Sequence, residues 1–368
     1  MSNRPMNEPP LNESPVAGVA AARRRGKLGA KTIALAHGSG GKGMRDLIED
    51  VLVGAFDNPA LAALEDQATL DLASLTARGD RLALTTDSYV VDPLFFPGGD
   101  IGKLAVNGTV NDLAVGGATP LYLTCGLIIE EGLEVETLRR VVRSMKVAAD
   151  AAGVKIVTGD TKVVGRGAAD KLFINTAGVG VVPAGVCLGA HRATPGDQVL
   201  TNGFIGDHGA AIVDARGQFA LENHILSDCQ PLHGLVQAML AAYPDVHCLR
   251  DATRGGIAGV ANEFAEQSGV GIRLDEASIP LRDEVRGMCE LLGLDPLYLA
   301  NEGKLVAIVP KAGSDAVLRA MRAHPAGADS ANVGEVIASR PGRVTLRSVL
   351  GGERVVDVPF GEQLPRIC

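Results

Sequence analysis

The sequence predicts an α+β protein of two domains followed by a mobile C-terminal tail. Three observations carry this expectation. The chain has 368 residues, more than one hydrophobic core usually spans, so two domains of roughly 150 residues each are expected. Strand-like and helix-like apolar patterns follow one another without regular βαβ repetition, which favours α+β over a doubly wound sheet. The last ten residues hold two prolines and no periodicity, as an unpacked terminus does. The expected divisions are a disordered leader at 1–30, a first domain at 31–185, a second at 186–358 and a tail at 359–368.

Composition narrows the function classes. With 46% hydrophobic and 21% charged residues the chain can bury a sizeable core. A net charge of −8 opposes binding to nucleic acid or an anionic membrane. The one basic cluster, Arg23, Arg24, Arg25, Lys27 and Lys31, lies in a leader of disordered composition. Its short apolar run, Val16 to Ala22, precedes the arginines, the reverse of a secretory signal. No stretch of about 18 apolar residues occurs elsewhere, so a cytoplasmic location is expected. The six cysteines, Cys125, Cys187, Cys229, Cys248, Cys289 and Cys368, are too scattered for CxxC metal pairs and read as thiols. Five are expected as buried apolar fillers, whereas Cys368 is the final residue and has no core to fill.

Along the chain, Thr32 to Ala36 reads as a short strand running into His37-Gly38-Ser39-Gly40-Gly41-Lys42-Gly43. A helix pattern then carries Met44, Leu47, Ile48, Val51 and Leu52. Strand-like runs at Leu82–Thr86 and Leu121–Ile129 flank a helix candidate at 102–115. Leu138, Val141, Val142, Met145 and Ala149 recur at helical spacing, with Gly153 placed to end that helix. Strands are expected at Lys155–Val157 and Leu172–Val182, the first domain closing near Pro183. In the second domain, Gln198–Asn202 and Leu305–Val309 read as strands. Gly206–Ala215, Leu232–Ala242, Gly256–Gln267 and Ala316–Ala323 read as helices. From Ala331 short strands return, and Gly351-Gly352 suits a hairpin between Arg343–Ser348 and Arg354–Val358.

Two kinds of motif point to phosphate chemistry. Gly38 to Gly43 formally matches GxGxxG with Glu65 and Asp66 about 20 residues on, but the parallel βαβ continuation of a dinucleotide fold is missing. A P-loop fails too, since Ala36 stands where its first Gly belongs and Gly43 where Ser or Thr is needed. What survives is a flexible backbone loop able to approach phosphate oxygens. Acidic residues also stand at strand ends or beside glycines: Asp87, Asp112, Asp160 after Gly159, and Asp251. If they converge, hard oxygen ligands of this kind suit Mg²⁺ bridging nucleotide phosphates, which makes Mg-ATP the natural cofactor. Lys162 could offset phosphate charge. Glu302, between two apolar runs, is expected at a domain surface or cleft, and His208 reads equally well as a helix-start residue.

At this point the sequence resembles a known family. The strings are His37 to Gly41, Thr85 to Pro97 (TTDSYVVDPLFFP), Gly98 to Pro120, Gly159 to Val163 (GDTKV), Gly206 to Gly209 (GDHG) and Asp251 to Gly256 (DATRGG). Asn301-Glu302-Gly303 and the ending Pro365-Arg366-Ile367-Cys368 complete them. Together they are similar to the HypE family of hydrogenase maturation factors. These are carbamoyl dehydratases in the superfamily of aminoimidazole ribonucleotide synthetase and selenophosphate synthetase. The ending is the most discriminating string, because a chain end is otherwise free to drift.

The resemblance implies the two-domain architecture of that superfamily and ATP-dependent dehydration of a thiocarboxamide on Cys368 to a thiocyanate, supplying cyanide ligands for nickel-iron hydrogenase. Asp87, Asp112, Asp160 and Asp251 would hold Mg-ATP, with Asn107, Gly159 and Gly38, Ser39, Gly40 and Gly41 near the nucleotide. Glu302 would take a proton from the modified tail, and Lys162 would stabilise charge on the carboxamide. Implied partners are a second copy, the carbamoyltransferase HypF, and a HypC–HypD complex receiving cyanide. The homodimer would pair the first domains through their sheets, with ATP near that interface. At roughly 3.3 Å per residue the tail could reach about 30 Å, enough to serve both an inward and an outward position. Selenophosphate synthetase fits less well, since that enzyme uses a Cys or selenocysteine near its N-terminus and no cysteine precedes Cys125 here. An ATP-regulated scaffold for maturation is the alternative from another class.

Overall fold

The computed structural model describes residues 26–65, 67–217, 224–358, 361 and 364–368. Most of the leader, Asp66 and part of the tail lie outside the described residues.

Two sheets organise the chain. The first holds β1 (Arg81–Tyr89), β4 (Thr119–Glu130), β5 (Lys155–Val164) and β6 (Leu172–Val182) in the order β1-β6-β4-β5. Only β4 and β5 pair in parallel. A two-residue hairpin, β2 (Phe95–Phe96) with β3 (Gly99–Asp100), follows β1. The second sheet holds β7 (Gln198–Thr201), β8 (Cys248–Asp251), β9 (Gly271–Asp275), β10 (Leu305–Val309), β11 (Ala331–Ile337), β12 (Val344–Arg347) and β13 (Glu353–Val356). Its order is β13-β12-β9-β11-β7-β10-β8, with β9 and β12 its one parallel pair.

The helices Ile101–Val115 and Val135–Ala152 cover one face of the first sheet. Val135–Ala152 is amphipathic, burying Leu138, Val141, Val142 and Met145, and Gly153 at φ 68° takes the left-handed position that stops it. Ile101–Val115 is buried almost all round, and the Asp100 carboxylate caps it by accepting from the Gly102 and Lys103 amides at 2.7 and 3.1 Å. Within it Gly108 lets Tyr89 lie against the helix, since any Cβ there would collide with the Tyr89 hydroxyl. Side chains opposite one another in antiparallel pairing share a face. The other face therefore carries Leu84, Val179 and Tyr122 in one row, and Leu82 and Leu84 are 56% and 75% exposed. No helix among the described residues is long and apolar enough to cross a membrane.

Several expectations are corrected. Thr32–Ala36 forms one bridge, Thr32 to Glu134, and then a 3₁₀ turn at Leu35–Gly38. The backbone pairs with the loop before the second helix instead of joining a sheet. The helix after the glycine loop is α-helical at Lys42–Leu47 and a π-helix at Ile48–Val53. Residues 26–30, expected as leader, are tethered there, the Gly26 and Leu28 amides donating to Glu49 and Asp50 at 2.8 and 2.9 Å. The strand expected to stop at Val157 continues to Val164 because β4 offers a full-length partner and Gly159 fits close against the Cys125 carbonyl. Cys187 is exposed, unlike the buried Cys125, Cys229, Cys248 and Cys289. Two elements not expected from the sequence are β9, too short to show a period, and the helix Asp283–Leu292, whose apolar stripe of Val285, Met288 and Cys289 is at helical spacing but covers only two to three turns.

Candidate active site

The cleft between the domains gathers most of the acidic motifs. Asp87 lies near the end of β1 on the helix-covered face, opposite Thr176, and Asp112 stands on the last turn of Ile101–Val115. The Thr85 hydroxyl donates to Asp112 at 2.8 Å, and Asp87 accepts from the Ser88 amide at 2.7 Å. Asp251 ends β8 at the edge of the second sheet. Thr85, Asp112, Arg250, Asp251 and Arg254 line a cleft of about 790 Å³. Burial, then Asp87, raises the Asp112 carboxyl, while burial and the neighbouring Asp112 push Asp251 up to about 7.

Of the surface or cleft position expected for Glu302, the surface is excluded, since the residue is 3% exposed at the domain junction. Backbone bonds hold its position: its amide donates to Asp228 at 2.9 Å, and its carbonyl accepts from Asn111 at 3.3 Å on the first domain's helix. Lys304 pairs with Asp228 at 3.1 Å, both buried. Burial foremost, then Asp228, Asp251, Asp87 and Asp112, raise the Glu302 carboxyl well above its ordinary range. Glu302 Oε1 has no hydrogen-bond partner among the described residues. The same is true of Oδ1 of buried Asn107, whose amide nitrogen lies 3.5 Å from Cys229 Sγ. Buried acceptors without donors are uncommon and call for an explanation.

The end of the tail enters the same region. The Val90 amide, just past β1, donates to a main-chain oxygen of Cys368 at 2.9 Å, and the Arg366 guanidinium donates to the Val90 carbonyl at 3.0 and 3.1 Å. Arg366 also pairs with Asp170, and Arg216 donates to the Pro365 and Arg366 carbonyls at 2.6 and 3.0 Å. Ile367 is buried, and Cys368 packs against the first domain's core. His208, fully buried, lies 2.8 Å from the Ile367 carbonyl. Residues 365–368 thus occupy an inward position. Val90 is three residues from Asp87, about 10 Å along the strand.

The remaining motifs lie elsewhere. Asp160 and Lys162 sit on β5 at the opposite edge of the first sheet, in register with Gly126 and Ile128 on the uncovered face. They pair with each other at 2.7 Å with side chains 62% and 63% exposed, and this hydrogen bond holds the Asp160 carboxyl below its ordinary range. Gly38 packs on Val163 of the same strand, so Gly38, Ser39, Gly40 and Gly41 border this edge as well. Asp87, Thr176, Cys125 and Gly159 form one row across four strands, which places Asp87 about 14 Å from the β5 edge. Within one chain Asp112 and Asp251 line the cleft, Asp87 is close enough to raise both their carboxyls and Glu302 lies nearby, while Asp160 and Lys162 do not join them. The sequence reading assigned no role to Arg254, Asp228 or Arg216. Arg254 belongs to the Asp251–Gly256 string, whereas nothing local marked the other two.

Comparisons with known proteins place the chain in a family. Residues 64–182 match the AIR synthase related protein, N-terminal domain, and residues 194–347 match its C-terminal domain. The carbamoyl dehydratase HypE of Escherichia coli is 57% identical over 91% of this chain and 99% of its own. A crystal structure of a hydrogenase maturation protein HypE in complex with ATP superimposes with TM-score 0.87 and 48% identity, over 92% of this chain and all of that one. A HypE–HypF complex structure matches with TM-score 0.74 and 47% identity, over 85% of this chain and 99% of that one. The chain belongs to the HypE family of carbamoyl dehydratases, within the AIR synthase related fold.

Proposed function

We propose that the protein dehydrates a carbamoyl group carried on Cys368, using ATP, to leave a thiocyanate that supplies cyanide for hydrogenase maturation. The observation that carries this is the inward tail, whose final residue is hydrogen-bonded beside β1, the strand bearing Asp87, while Glu302 lies buried at the same domain junction. The balance is simple. The thiocarboxamide oxygen attacks the γ-phosphorus and displaces ADP as one nitrogen proton leaves; loss of the second proton then expels phosphate and forms the C≡N bond. The carboxamide oxygen leaves as phosphate, so no free hydroxide has to depart.

The residues divide this work. Glu302, its carboxyl raised by burial and by four neighbouring carboxylates, is a base stronger than an ordinary Glu and accepts the nitrogen protons. Asp87, Asp112 and Asp251 would hold the nucleotide's Mg²⁺. Their mutual repulsion is what a divalent cation relieves, although no group of three or more ligating side chains is already clustered among the described residues. Phosphate oxygens would complete such a site. Asn107 would meet the nucleotide through its unpartnered oxygen.

Asp160, Lys162 and the loop Gly38 to Gly41 are completed by a second copy. Pairing two chains through the exposed apolar face of the first sheet would bury Leu82 and Leu84 and would bring one chain's β5 edge toward the partner's cleft. Lys162 then stabilises charge on the carboxamide oxygen. The HypF-type transferase loads Cys368 from outside, and a HypC–HypD-type complex takes the cyanide, both in the cytoplasm.

The deciding experiment is intact mass after incubation with HypF, carbamoyl phosphate and ATP. Wild type should gain one carbamoyl group and lose one water only when ATP can be hydrolysed. An active HypF that leaves Cys368 unmodified would overturn the proposal.

A further inference from the structure

The Gly206-Asp207-His208-Gly209 string has no part in the chemistry above, yet it places a fully buried histidine against the tail. His208 Nδ1 lies 2.8 Å from the Ser227 hydroxyl and Nε2 lies 2.8 Å from the Ile367 carbonyl. A carbonyl can only accept, so Nε2 carries the proton and donates to Ile367, leaving Nδ1 to accept from Ser227. The His208 and Phe96 rings pack in a T-shaped pair with centroids 5.5 Å apart, which restrains the plane of the imidazole. The helix Asp207–Ala215 holds the tail at both ends. His208 grips Ile367 in its first turn, and Arg216, immediately past the helix, grips Pro365 and Arg366 about 12 Å away. The tail therefore runs against the helix direction, with Cys368 delivered at the His208 end.

We propose that His208 is a positioning residue that latches the tail inward through the Ile367 carbonyl, setting the fraction of time Cys368 spends in the dehydration site rather than exposed to the loading enzyme. A histidine suits this task better than the arginine used at the other end. The site is fully buried, and a neutral donor avoids the desolvation cost of a charge. Burial also holds the His208 imidazole below its ordinary pKa, which keeps it neutral. The link is one hydrogen bond, strong enough to favour the inward state and weak enough to release.

The latch rests on the proposed dehydration only for its purpose, so its test is arranged to stand without it. His208→Asn keeps an amide near Ser227 but cannot reach Ile367, whereas His208→Gln keeps a donor at the ε position. The first measurement, made without ATP, is the rate of Cys368 alkylation by iodoacetamide, read by peptide mass, with exposed Cys187 as reference and buried Cys248 as a monitor of folding. Asn should raise the Cys368 rate roughly tenfold, the worth of one lost buried hydrogen bond. Gln should stay near wild type, and Cys248 should remain protected in both. The second measurement is water loss from pre-carbamoylated protein, which should slow in the Asn variant while loading by HypF does not. Equal Cys368 rates in wild type and both variants overturn the latch. If wild type itself loses no water, the dehydration reading fails, and the alkylation rates still decide the latch.

Discussion

The β5 edge and the interdomain cleft hold the same kinds of residue in opposite circumstances. At the β5 edge Asp160 and Lys162 are exposed and already satisfied by each other. In the cleft Arg250 only partly offsets the charge on Asp112 and Asp251, and three of the four acidic residues there, Asp112, Asp251 and Glu302, have carboxyls raised by burial and mutual repulsion. Solvent makes the first arrangement cheap and nearly worthless for stability; burial makes the second costly and chemically potent. The difference teaches that strongly basic carboxylates come from the junction of two domains, while the exposed edge contributes only once a partner excludes water from it.

The largest expected effect strikes the group both regions serve. Cys368→Ala should abolish carbamoyl acceptance and thiocyanate formation by intact mass with only a small change in melting temperature, because the side chain is only half-buried and the change removes a single sulfur atom. Glu302→Gln should still accept carbamoyl but lose water about 10²–10⁴-fold more slowly, the usual worth of a general base. If the Gln variant dehydrates at the wild-type rate, the buried side of the comparison has no catalytic meaning. Lys162→Ala should slow the ATP-dependent step by about 10²-fold with little change in melting temperature, since an exposed pair contributes at most about 1 kcal/mol. A large loss of stability there would show that the β5 edge is structural.

The smallest effect is a pH dependence. Asp251 titrates near 7 in the folded protein and near an ordinary Asp value when unfolded. The folded state therefore binds more protons between those values, and its stability falls as pH rises through 7. Melting temperature in the absence of nucleotide should drop between pH 6 and pH 8, and Asp251→Asn should flatten that slope. Mg-ATP should flatten it as well, by favouring the ionised carboxylate. A slope unchanged in Asp251→Asn would place the raised titration on another group.

Much of the architecture was legible because it rests on periodicity. Val135–Ala152 and Leu172–Val182 follow directly from apolar spacing, as does the stop at Gly153. The Thr32–Ala36 run misled, because a short apolar run does not say whether a sheet edge is available to receive it. The strand expected to stop at Val157 leaves Asp160 beyond its end for a related reason, since only the length of β4 shows that the strand continues. Every acidic motif was visible, but which of them meet was not.

By itself the sequence determined the α+β class, most of the helices, the family and the residue types able to bind phosphate and carry a carbamoyl group, all of which depend on local spacing or on short strings. Tertiary structure alone decided that Glu302 is buried, that Asp160 faces away from Asp87, and that His208 meets Ile367. The first and last of these depend on contacts between residues from 74 to 191 positions apart and the second on the pairing of β5 with β4, and burial and distance set in this way, which fix the pKa values and the reach of each group, leave no mark on local pattern.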